Sequence, residues 1–442
     1  MISLDLKRCS EHIQSGVQPH WRGTVDIVSG VIVEATGVPA AMGELCRIDR
    51  GRKDPIDAEV VGFRGSSTLL MPHGDLEGIG PRQAVTALGH AFSVRVGSQL
   101  LGRVMDGFGN PIDDGAALPN IMERRRVKQD SPAPLSRTPI DTQMQTGVRA
   151  IDGLCTMGHG QRMGIFSGSG VGKSSLLGQI TRGTDADVII VALIGERGRE
   201  VLDFKDQVLS SELAAKSLMV VATSDRPPIE RFMAPFVAVT MAEHFRDQGL
   251  NVLVVMDSIT RFAAAAREIG LAAGEPPTVR GYPPSFFATI PKLVERLGRA
   301  SAGSITGLLT VLMDGDDPNE PVADTLRGLL DGHIYLSRDL ANRGHFPAID
   351  VLASLSRLMS GITDENHQAR ARELRQLLAQ WNEGRDLVEI GAYKPGANPS
   401  LDLAIHNMPR MEAFLQQRMD DSSELAETIG ILNVLLETGG AA

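Results

Sequence analysis

One stretch of the chain decides its fold: Gly164-Ile165-Phe166-Ser167-Gly168-Ser169-Gly170-Val171-Gly172-Lys173-Ser174-Ser175. It leads from an apolar strand pattern through a glycine-rich turn into a helical pattern that begins at Leu176. Strand, glycine loop and helix in this order are typical of a Walker A phosphate loop. Glycine lets the backbone curl, so that successive N–H groups and the helix N-terminus form a positively polarised cup for phosphate oxygens. The stretch therefore predicts an α/β nucleotide-binding domain.

Two residues of this loop have distinct predicted roles. Lys173 would place a point charge at the β- and γ-phosphates of ATP, and the Ser174 hydroxyl would be a ligand for Mg²⁺. Ser167 stands where the strict motif has its first glycine. The glycine spacing also differs from that of a dinucleotide-binding loop. The predicted nucleotide-binding residues are Gly168, Ser169, Gly170, Val171, Gly172, Lys173, Ser174 and Ser175.

A carboxylate follows the next apolar strand pattern. Val188–Ile194 is uninterrupted apolar sequence and runs into Gly195-Glu196-Arg197-Gly198-Arg199-Glu200. In a parallel sheet, Glu196 would lie at the edge where the phosphate loop opens. There it can align and polarise a water molecule for attack on the γ-phosphate. The alternative, a surface glutamate paired with Arg197 or Arg199, fits the sequence equally well.

A second acid ends the apolar segment at 251–256 in the same way. Asp257 in this position is the Walker B arrangement, which holds Mg²⁺ through a coordinated water. The alternative is that Asp257 caps a helix that begins at Ser258. A Walker A loop upstream favours the metal role.

The composition excludes several classes of protein. The 442 residues include 44 Lys and Arg against 54 Asp and Glu, which gives a net charge of −10. Nucleic acid is therefore disfavoured as the main partner, because phosphate binding needs a concentrated basic surface. Three cysteines are too few for a disulfide framework or a zinc site and indicate reduced thiols in the cytoplasm. Residues 1–15 lack the apolar core of a signal peptide, and no apolar run approaches the about 18 residues of a membrane span.

Three regions of the chain differ in pattern. Residues 23–96 contain short β-rich pieces, including 93–96, separated by Gly, Pro and Asp, which predicts a small antiparallel barrel. From about 150 to 350, apolar strands alternate with helical stretches, which predicts a parallel sheet. Helical spacing at 365–381 and 411–436 predicts a helical C-terminal part.

Two further segments have no assigned chemistry. The basic cluster Arg124-Arg125-Arg126-Val127-Lys128 is interpreted as a solvated linker. The proline-rich stretch at 281–287 is interpreted as a turn or loop, because proline does not fit a central strand. Its aromatic residues are either core anchors or a grip that faces a pore.

Together the motifs resemble the rotary-ATPase superfamily, and more closely the flagellar and type III protein-export ATPases. The resemblance covers about residues 23–410 and rests on the runs at 101–113, 146–152, 168–174, 195–200 and 280–285. The sequence Gly-Ser-Gly-Val-Gly-Lys-Ser at 168–174 differs from the Gly-Gly-Ala-Gly-Val-Gly-Lys-Thr of the ATP synthase β type, which favours the export branch.

The resemblance implies an architecture and an assembly. We expect an N-terminal extension over 1–20 that docks a regulatory stator-like partner. A β-barrel domain over 21–96, a RecA-like ATPase domain over 97–362 and a C-terminal helical domain over 363–442 would follow. The subunits would form a homo-hexameric ring in the cytoplasm, at the periphery of the inner-membrane export apparatus. Its expected partners are export-gate, stalk and chaperone-substrate proteins, with no nucleic acid.

The resemblance also implies roles for individual residues. Glu196 matches the catalytic glutamate, Lys173 and Ser174 the phosphate and Mg²⁺ residues, and Asp257 the Walker B acid. Phe346 matches an aromatic that packs on adenine, and its alternative is ordinary core packing. Arg357 matches an arginine finger that reaches into a neighbour's site, and its alternative is a surface charge.

Other functions stay open at this point. The virulence secretion counterpart shares the chemistry, although 391–396 looks more like the flagellar form. A rotary ATP synthase β-type subunit has the same site. A nucleic-acid-coupled ring, such as a terminator helicase, is disfavoured by the acidic charge.

Overall fold

The computed structural model describes residues 22–208, 212–313, 317 and 320–437. The expected N-terminal extension over 1–20 lies outside the described residues. The described part of the chain divides into two compact units. One contains the residues up to Phe92 together with Ala272–Gly274, and the other contains Ser93–Leu271 and the residues from Glu275 onward.

The first unit is a closed antiparallel barrel, and six strands form it within the residues that the structure describes. The strands are β1 (Arg22–Ser29), β2 (Ile32–Thr36), β3 (Glu44–Arg50), β4 (Lys53–Arg64), β5 (Ser67–Pro72) and β6 (Ala84–Ala91). Their order is β1-β2-β5-β4-β3-β6, and β6 pairs back onto β1. Successive side chains of a strand face opposite sides, so the apolar residues Val33, Ala35 and Ile48 share one buried core. The predicted barrel is confirmed.

Three strands follow the barrel: β7 (Ser93–Val96), β8 (Val104–Asp106) and β9 (Glu123–Arg126). The predicted strand at 93–96 forms, but it pairs with β9 and with no barrel strand among the described residues. The linker interpretation of the basic cluster is therefore wrong for 124–126. Val127 anchors the end of β9 in the core at 0% exposure, and Arg125 pairs with Glu123 and Asp247.

The second unit is built on a central sheet. Its further strands are β10 (Gln143–Met144), β11 (Met157–Gly158), β12 (Arg162–Ser167), β13 (Val188–Ile194), β14 (Ser217–Ala222), β15 (Asn251–Asp257), β16 (Gly298–Arg299), β17 (Ser304–Leu312), β18 (Gly332–Leu336) and β19 (Ile349–Ser356). Over the described ranges the sheet has nine strands in the order β19-β18-β12-β17-β15-β13-β14-β8, with β16 pairing onto β17. The pairs from β18 to β8 are parallel. Edge strand β19 is antiparallel to β18. Every residue of β13 is buried, as expected where helices cover both faces of a parallel sheet.

Helices connect these strands and form the C-terminal part. They are α1 (Arg149–Leu154), α2 (Lys173–Gly183), α3 (Gly198–Val208), α4 (Pro228–Arg246), α5 (Ile259–Ala272), α6 (Pro284–Val294), α7 (Pro321–Leu329), α8 (Arg338–Asn342), α9 (Met359–Ile362), α10 (Glu365–Glu389), α11 (Pro399–Leu415) and α12 (Leu425–Glu437). The predicted helical C-terminal part is confirmed, and its Leu374, Phe414 and Leu432 share a core with Ile151 of α1. None of the helices in the described ranges is both long and apolar enough to cross a membrane.

The proline-rich stretch differs from the expected loop. Helix α6 begins at Pro284, because proline fits the first turn of a helix, where its missing N–H has no partner to lose. Tyr282 and Phe286 are 6% and 0% exposed and pack with ring centroids 5.0 Å apart. These two aromatics are core anchors.

Candidate active site

Three parallel strands bring the predicted site residues to one edge of the sheet. Strand β12 continues into the phosphate loop and α2, β13 leads to Glu196, and β15 ends at Asp257. In the phosphate loop, Gly172 has a φ of 91°, a left-handed conformation that favours glycine. A side chain there would also meet the ring of Phe346, whose Cε1 lies 3.4 Å from the position of a Cβ atom. Ser167 is the buried last residue of β12, so the departure from the strict motif lies where the strand ends.

Lys173 lies between the two predicted acids. Its Nζ is 3.6 Å from Glu196 Oε1 and forms a close ion pair with Asp257 Oδ1. The Lys173 side chain is 11% exposed, so this cation is largely shielded from water. The structure thus brings together the lysine, the glutamate and the aspartate that were predicted from three separate segments. The sequence also allowed Arg199 as an ion-pair partner for Glu196. In the structure, Arg199 Nε instead lies 3.9 Å from Asp203 Oδ2.

Asp257 is held in a defined orientation. It is 2% exposed, and the Thr310 hydroxyl of the neighbouring strand β17 donates to its Oδ1 at 2.8 Å. A buried carboxylate must be compensated by charge or hydrogen bonds. Lys173 and Thr310 provide both, because β17 lies next to β15 in the sheet.

The ionisation of Glu196 is linked to that of a second glutamate, Glu200. Burial, together with a hydrogen bond to Glu200, raises the pKa of Glu196 to about 7, and Lys173 opposes this rise. The same hydrogen bond lowers the pKa of Glu200. The two carboxyl groups therefore titrate as a pair, in which Glu196 has the higher pKa. Among the described residues, none forms a hydrogen bond with Glu196 Oε1, the oxygen that faces Lys173.

A cavity of about 170 Å³ opens beside these groups. It is lined by Ser174, Ser175, Leu193, Glu196, Glu200, Asp203, Phe204 and Asp257. Sequence reasoning gave no role to Glu200, Asp203 or Phe204. Asp203 and Phe204 follow Glu200 by three and four residues on α3, a spacing that places all three on one helix face. This spacing could have predicted their position once Glu196 was assigned to the site.

Oxygen donors in this cavity are of the kind that Mg²⁺ prefers. Ser174 offers a hydroxyl and Asp257 a carboxylate. No group of three or more His, Cys, Asp or Glu side chains in the described ranges is placed to hold a metal ion. Mg²⁺ in nucleotide sites uses one or two protein ligands and completes its shell with phosphate oxygens and water, so this donor set fits it.

The connection between β18 and β19 lies over the phosphate loop. Phe346 is 45% exposed beside Gly172, so its ring is not a core side chain. The backbone N–H of Gln417 donates to the Phe346 carbonyl at 2.9 Å and links this connection to the segment after α11. In the same connection, Arg338 donates from a guanidinium N–H to the Ser169 carbonyl at 3.1 Å. No sequence signal relates Arg338 to Ser169, which lies 169 residues away along the chain.

Arg357 lies away from the cluster in its own chain. Ser356 pairs with Gly332 at the start of β18, and Gly332 pairs with Met163 near the start of β12. The phosphate loop leaves from the other end of β12, so the two groups are separated by about 13 Å of strand. Arg357 is exposed and donates only weakly, at 3.3 Å, to the Arg327 carbonyl. The structure therefore leaves this cation outside the cluster around Lys173.

Two family models match the chain. The ATP synthase alpha/beta family, nucleotide-binding domain, matches residues 147–356. The T3SS EscN ATPase C-terminal domain matches residues 363–433.

Similar proteins come from flagellar and from secretion systems. The chain is 49% identical over 415 residues to the flagellum-specific ATP synthase of Bacillus subtilis (strain 168), covering 93% of this chain and 94% of that protein. It is 48% identical over 412 residues to the type 3 secretion system ATPase of Xanthomonas euvesicatoria, covering 93% of each.

One solved protein has a closely similar structure. It is the assembled ATPase EscN of the enteropathogenic E. coli type III secretion system, with 44% identity and a TM-score of 0.89 over 93% of this chain and 99% of that chain. EscN in complex with its central stalk EscO gives a TM-score of 0.87.

Proposed function

Because this chain belongs to the flagellum-specific and type 3 secretion ATPases of the ATP synthase alpha/beta family, we propose that it hydrolyses ATP to energise flagellar protein export. The membership confirms the resemblance predicted from the sequence motifs. It also makes the chain an ATPase with a nucleotide as its substrate.

One observation carries the proposal for the site: Lys173, Glu196 and Asp257 meet at the edge of the sheet where the phosphate loop opens. Structural nucleotide binding needs a lysine and a loop, but hydrolysis also needs a group that prepares water. Glu196 faces the lysine with an oxygen that accepts no hydrogen bond from the described residues. We propose that a water molecule beside the γ-phosphate donates a hydrogen bond to this buried oxygen once nucleotide is bound.

In the proposed mechanism, nucleotide binding rearranges the charges around Lys173. The phosphates compete with Asp257 and Glu196 for the ammonium group, because both acids pair with it in their absence. In its carboxylate form Glu196 then accepts a proton from the attacking water. Burial and the nearby Glu200 raise the pKa of Glu196, whereas the pKa of Glu200 is lowered, so Glu196 is the stronger base of the two. Backbone N–H groups of residues 168–175 hold the phosphates.

Ser174 and Asp257 would hold Mg²⁺, Ser174 directly and Asp257 through a coordinated water. When bound, the ion neutralises charge on the β- and γ-phosphate oxygens. The Thr310 hydroxyl keeps Asp257 oriented toward this position. We propose Mg²⁺ dependence on the basis of this donor set.

The site is completed by Arg357 of a neighbouring copy. Within one chain Arg357 lies at the opposite edge of the sheet from Lys173, so it cannot serve its own site without a change of fold. Identical subunits joined head to tail would place the arginine of each copy at the site of the next, and a closed rotation makes a ring. EscN is described as assembled, and we propose a homo-hexamer for this chain.

Partners and place of action follow from the same membership. EscN binds a central stalk, EscO, and we propose a stalk protein as a partner here. We propose further that the ring works in the cytoplasm against the inner-membrane export apparatus. There it would meet the export gate and chaperone-bound substrates, and residues 1–20 would dock a regulatory partner. Phe346 would pack on the adenine.

The test is the ATPase rate per subunit as a function of protein concentration. If neighbouring copies complete the site, the specific rate rises with concentration and then reaches a plateau as rings form. Sedimentation velocity on the same samples should show assembly over the same range. A specific rate that is constant from monomer to oligomer would contradict a shared site.

A second candidate is ATPase function in a virulence secretion system. The 48% identity to the Xanthomonas protein, beside 49% to the Bacillus protein, supports it. Deletion of the gene distinguishes the two functions. Loss of flagellar filaments supports the first, and intact filaments with lost effector secretion support the second.

A further inference from the structure

The connection between β18 and β19 touches the phosphate loop at two separate points. Phe346 covers Gly172 at the end of the loop, and Arg338 bonds to the Ser169 carbonyl at its turn. The role of Phe346 is part of the proposed function. Arg338 contacts a carbonyl oxygen, which cannot itself bind phosphate oxygens because both are acceptors, so this contact calls for a separate explanation.

Peptide geometry gives that explanation. The peptide unit between Ser169 and Gly170 is planar and trans, so its C=O and N–H groups point in opposite directions. The Arg338 guanidinium only donates hydrogen bonds, and its bond to the Ser169 carbonyl holds that oxygen toward α8. The Gly170 N–H must then point the other way. Gly170 has a φ of 78° and nothing within 4 Å of a Cβ position, and a glycine itself adds little restraint on this peptide plane.

The backbone that carries Arg338 is held by its neighbours. Strand β18 runs parallel to β12, and Leu336 pairs with Ser167 immediately before the phosphate loop. The next residue, Ser337, donates its N–H to the Ala348 carbonyl at 2.8 Å, and its side chain caps α8. Arg338 is the first residue of α8. Only Ser337 separates the paired strands β12 and β18 from Arg338. The position of the Arg338 guanidinium relative to the phosphate loop therefore depends mainly on the Arg338 side chain itself.

We propose that Arg338 is a positioning residue for the phosphates: it holds the Ser169 carbonyl outward so that the Gly170 N–H faces the bound triphosphate. This inference rests on the proposed nucleotide-binding role of the loop and adds to it the residue that presets one of its donors. An N–H group that already points toward the site loses less conformational entropy on binding than one that must first be ordered. Arg338 should therefore affect the affinity for phosphates.

The experiment compares Arg338→Gln, Arg338→Lys and the matched control Arg343→Gln, which removes an exposed arginine beyond the end of the same helix. Binding of a fluorescent ADP is measured first. Inorganic tripolyphosphate then competes with it, because this probe has phosphates and no base. Thermal unfolding of each variant is recorded alongside.

For Arg338→Gln we expect about tenfold weaker tripolyphosphate binding, the loss typical of one hydrogen bond from a charged donor. Arg338→Lys should recover part of it, since an ammonium group can also donate to the carbonyl. Arg343→Gln should match the wild type, and unfolding temperatures should be equal. Wild-type tripolyphosphate affinity in Arg338→Gln, while the fluorescent ADP still binds the wild type, would overturn this inference alone. Absence of ADP binding in the wild type would overturn the proposed function and this inference with it.

Discussion

Glu196 Oε1 and Lys173 Nζ face each other at 3.6 Å, although 22 residues of loop, helix and strand separate them in the chain. The parallel pairing of β12, β17, β15 and β13 produces this closeness, because it brings the ends of these strands to one edge. The ammonium group also pairs with Asp257. Two acidic side chains therefore face one ammonium group in the absence of nucleotide.

Glu196→Gln should abolish steady-state hydrolysis while nucleotide still binds. The amide keeps the size of the side chain but cannot accept a proton from water, and general-base catalysis typically contributes about 10²- to 10⁴-fold. Phosphate release and binding of a fluorescent ADP are the two measurements. Glu383→Gln, on an exposed face of α10, is the matched control and should behave as the wild type. Retained turnover in Glu196→Gln would remove this residue from the mechanism.

The pH dependence of kcat/KM should report the Glu196 and Glu200 pair. The pKa of Glu196 is raised to about 7, and only its carboxylate form can act as a base. Below pH 7 the protonated form dominates, so kcat/KM should fall by about tenfold per pH unit and should level off above pH 7.

Glu200→Gln tests which group causes the fall of kcat/KM below pH 7, the acid limb of the profile. The substitution removes both the carboxylate that accepts the proton of Glu196 and a nearby negative charge, so the apparent pKa should fall and the acid limb should move to lower pH. An acid limb that keeps its position in Glu200→Gln would show that the ionisation belongs to another group, such as the substrate.

Two inactive variants should restore activity to each other when they are co-expressed. Arg357→Ala lacks the cation for the next subunit's site, a loss of about 10³- to 10⁵-fold for an arginine finger, but it keeps Glu196. Glu196→Gln keeps Arg357. In an equal mixture, about a quarter of the interfaces should combine an intact glutamate with an intact arginine.

The phosphate release of the mixed preparation is compared with each variant alone. A mixture as inactive as its parts, with rings present by electron microscopy, would contradict a site shared between subunits.

Phe346→Ala should raise the KM for ATP by about tenfold and leave kcat nearly unchanged. The half-exposed ring lies beside the phosphate loop without touching the acids, so its loss removes aromatic packing on the base and no chemistry. Phe346→Tyr is the conservative control and should keep the wild-type KM. Competition by tripolyphosphate, which has no base, should be equal in both variants. A large fall in kcat would assign the residue a different role.

Much of the site could be predicted from sequence because its signals are local. Buried strands of β-branched residues ending in an acid are visible as runs, and the glycine loop has a motif. Parallel pairing then forces Lys173, Glu196 and Asp257 together, whatever the loop lengths between them. The barrel and the C-terminal helices follow from periodicity in the same way.

The remaining features depend on contacts that no short-range pattern encodes. Arg338 meets Ser169 only because β18 lies next to β12, an order that the sequence does not reveal. The basic segment at 124–126 was expected to be a solvated linker; its Arg124 and Arg126 are exposed, but pairing with β7 makes the segment a strand. Glu200 had a detectable signal, its spacing from Glu196, but the raised pKa of Glu196 depends on burial, which the spacing does not reveal.

The antiparallel course of β19 has a genetic consequence. It carries Arg357 back to the far edge of the sheet. If neighbouring copies share a site as proposed, a subunit without this arginine would impair the site of the next copy and leave its own intact. A cell that carries one intact and one arginine-deficient allele would build mixed rings. In these rings, an intact subunit would lose activity wherever the neighbour that faces its site lacks the arginine. Such a cell should therefore lose about half of its active interfaces, in proportion to the share of arginine-deficient subunits.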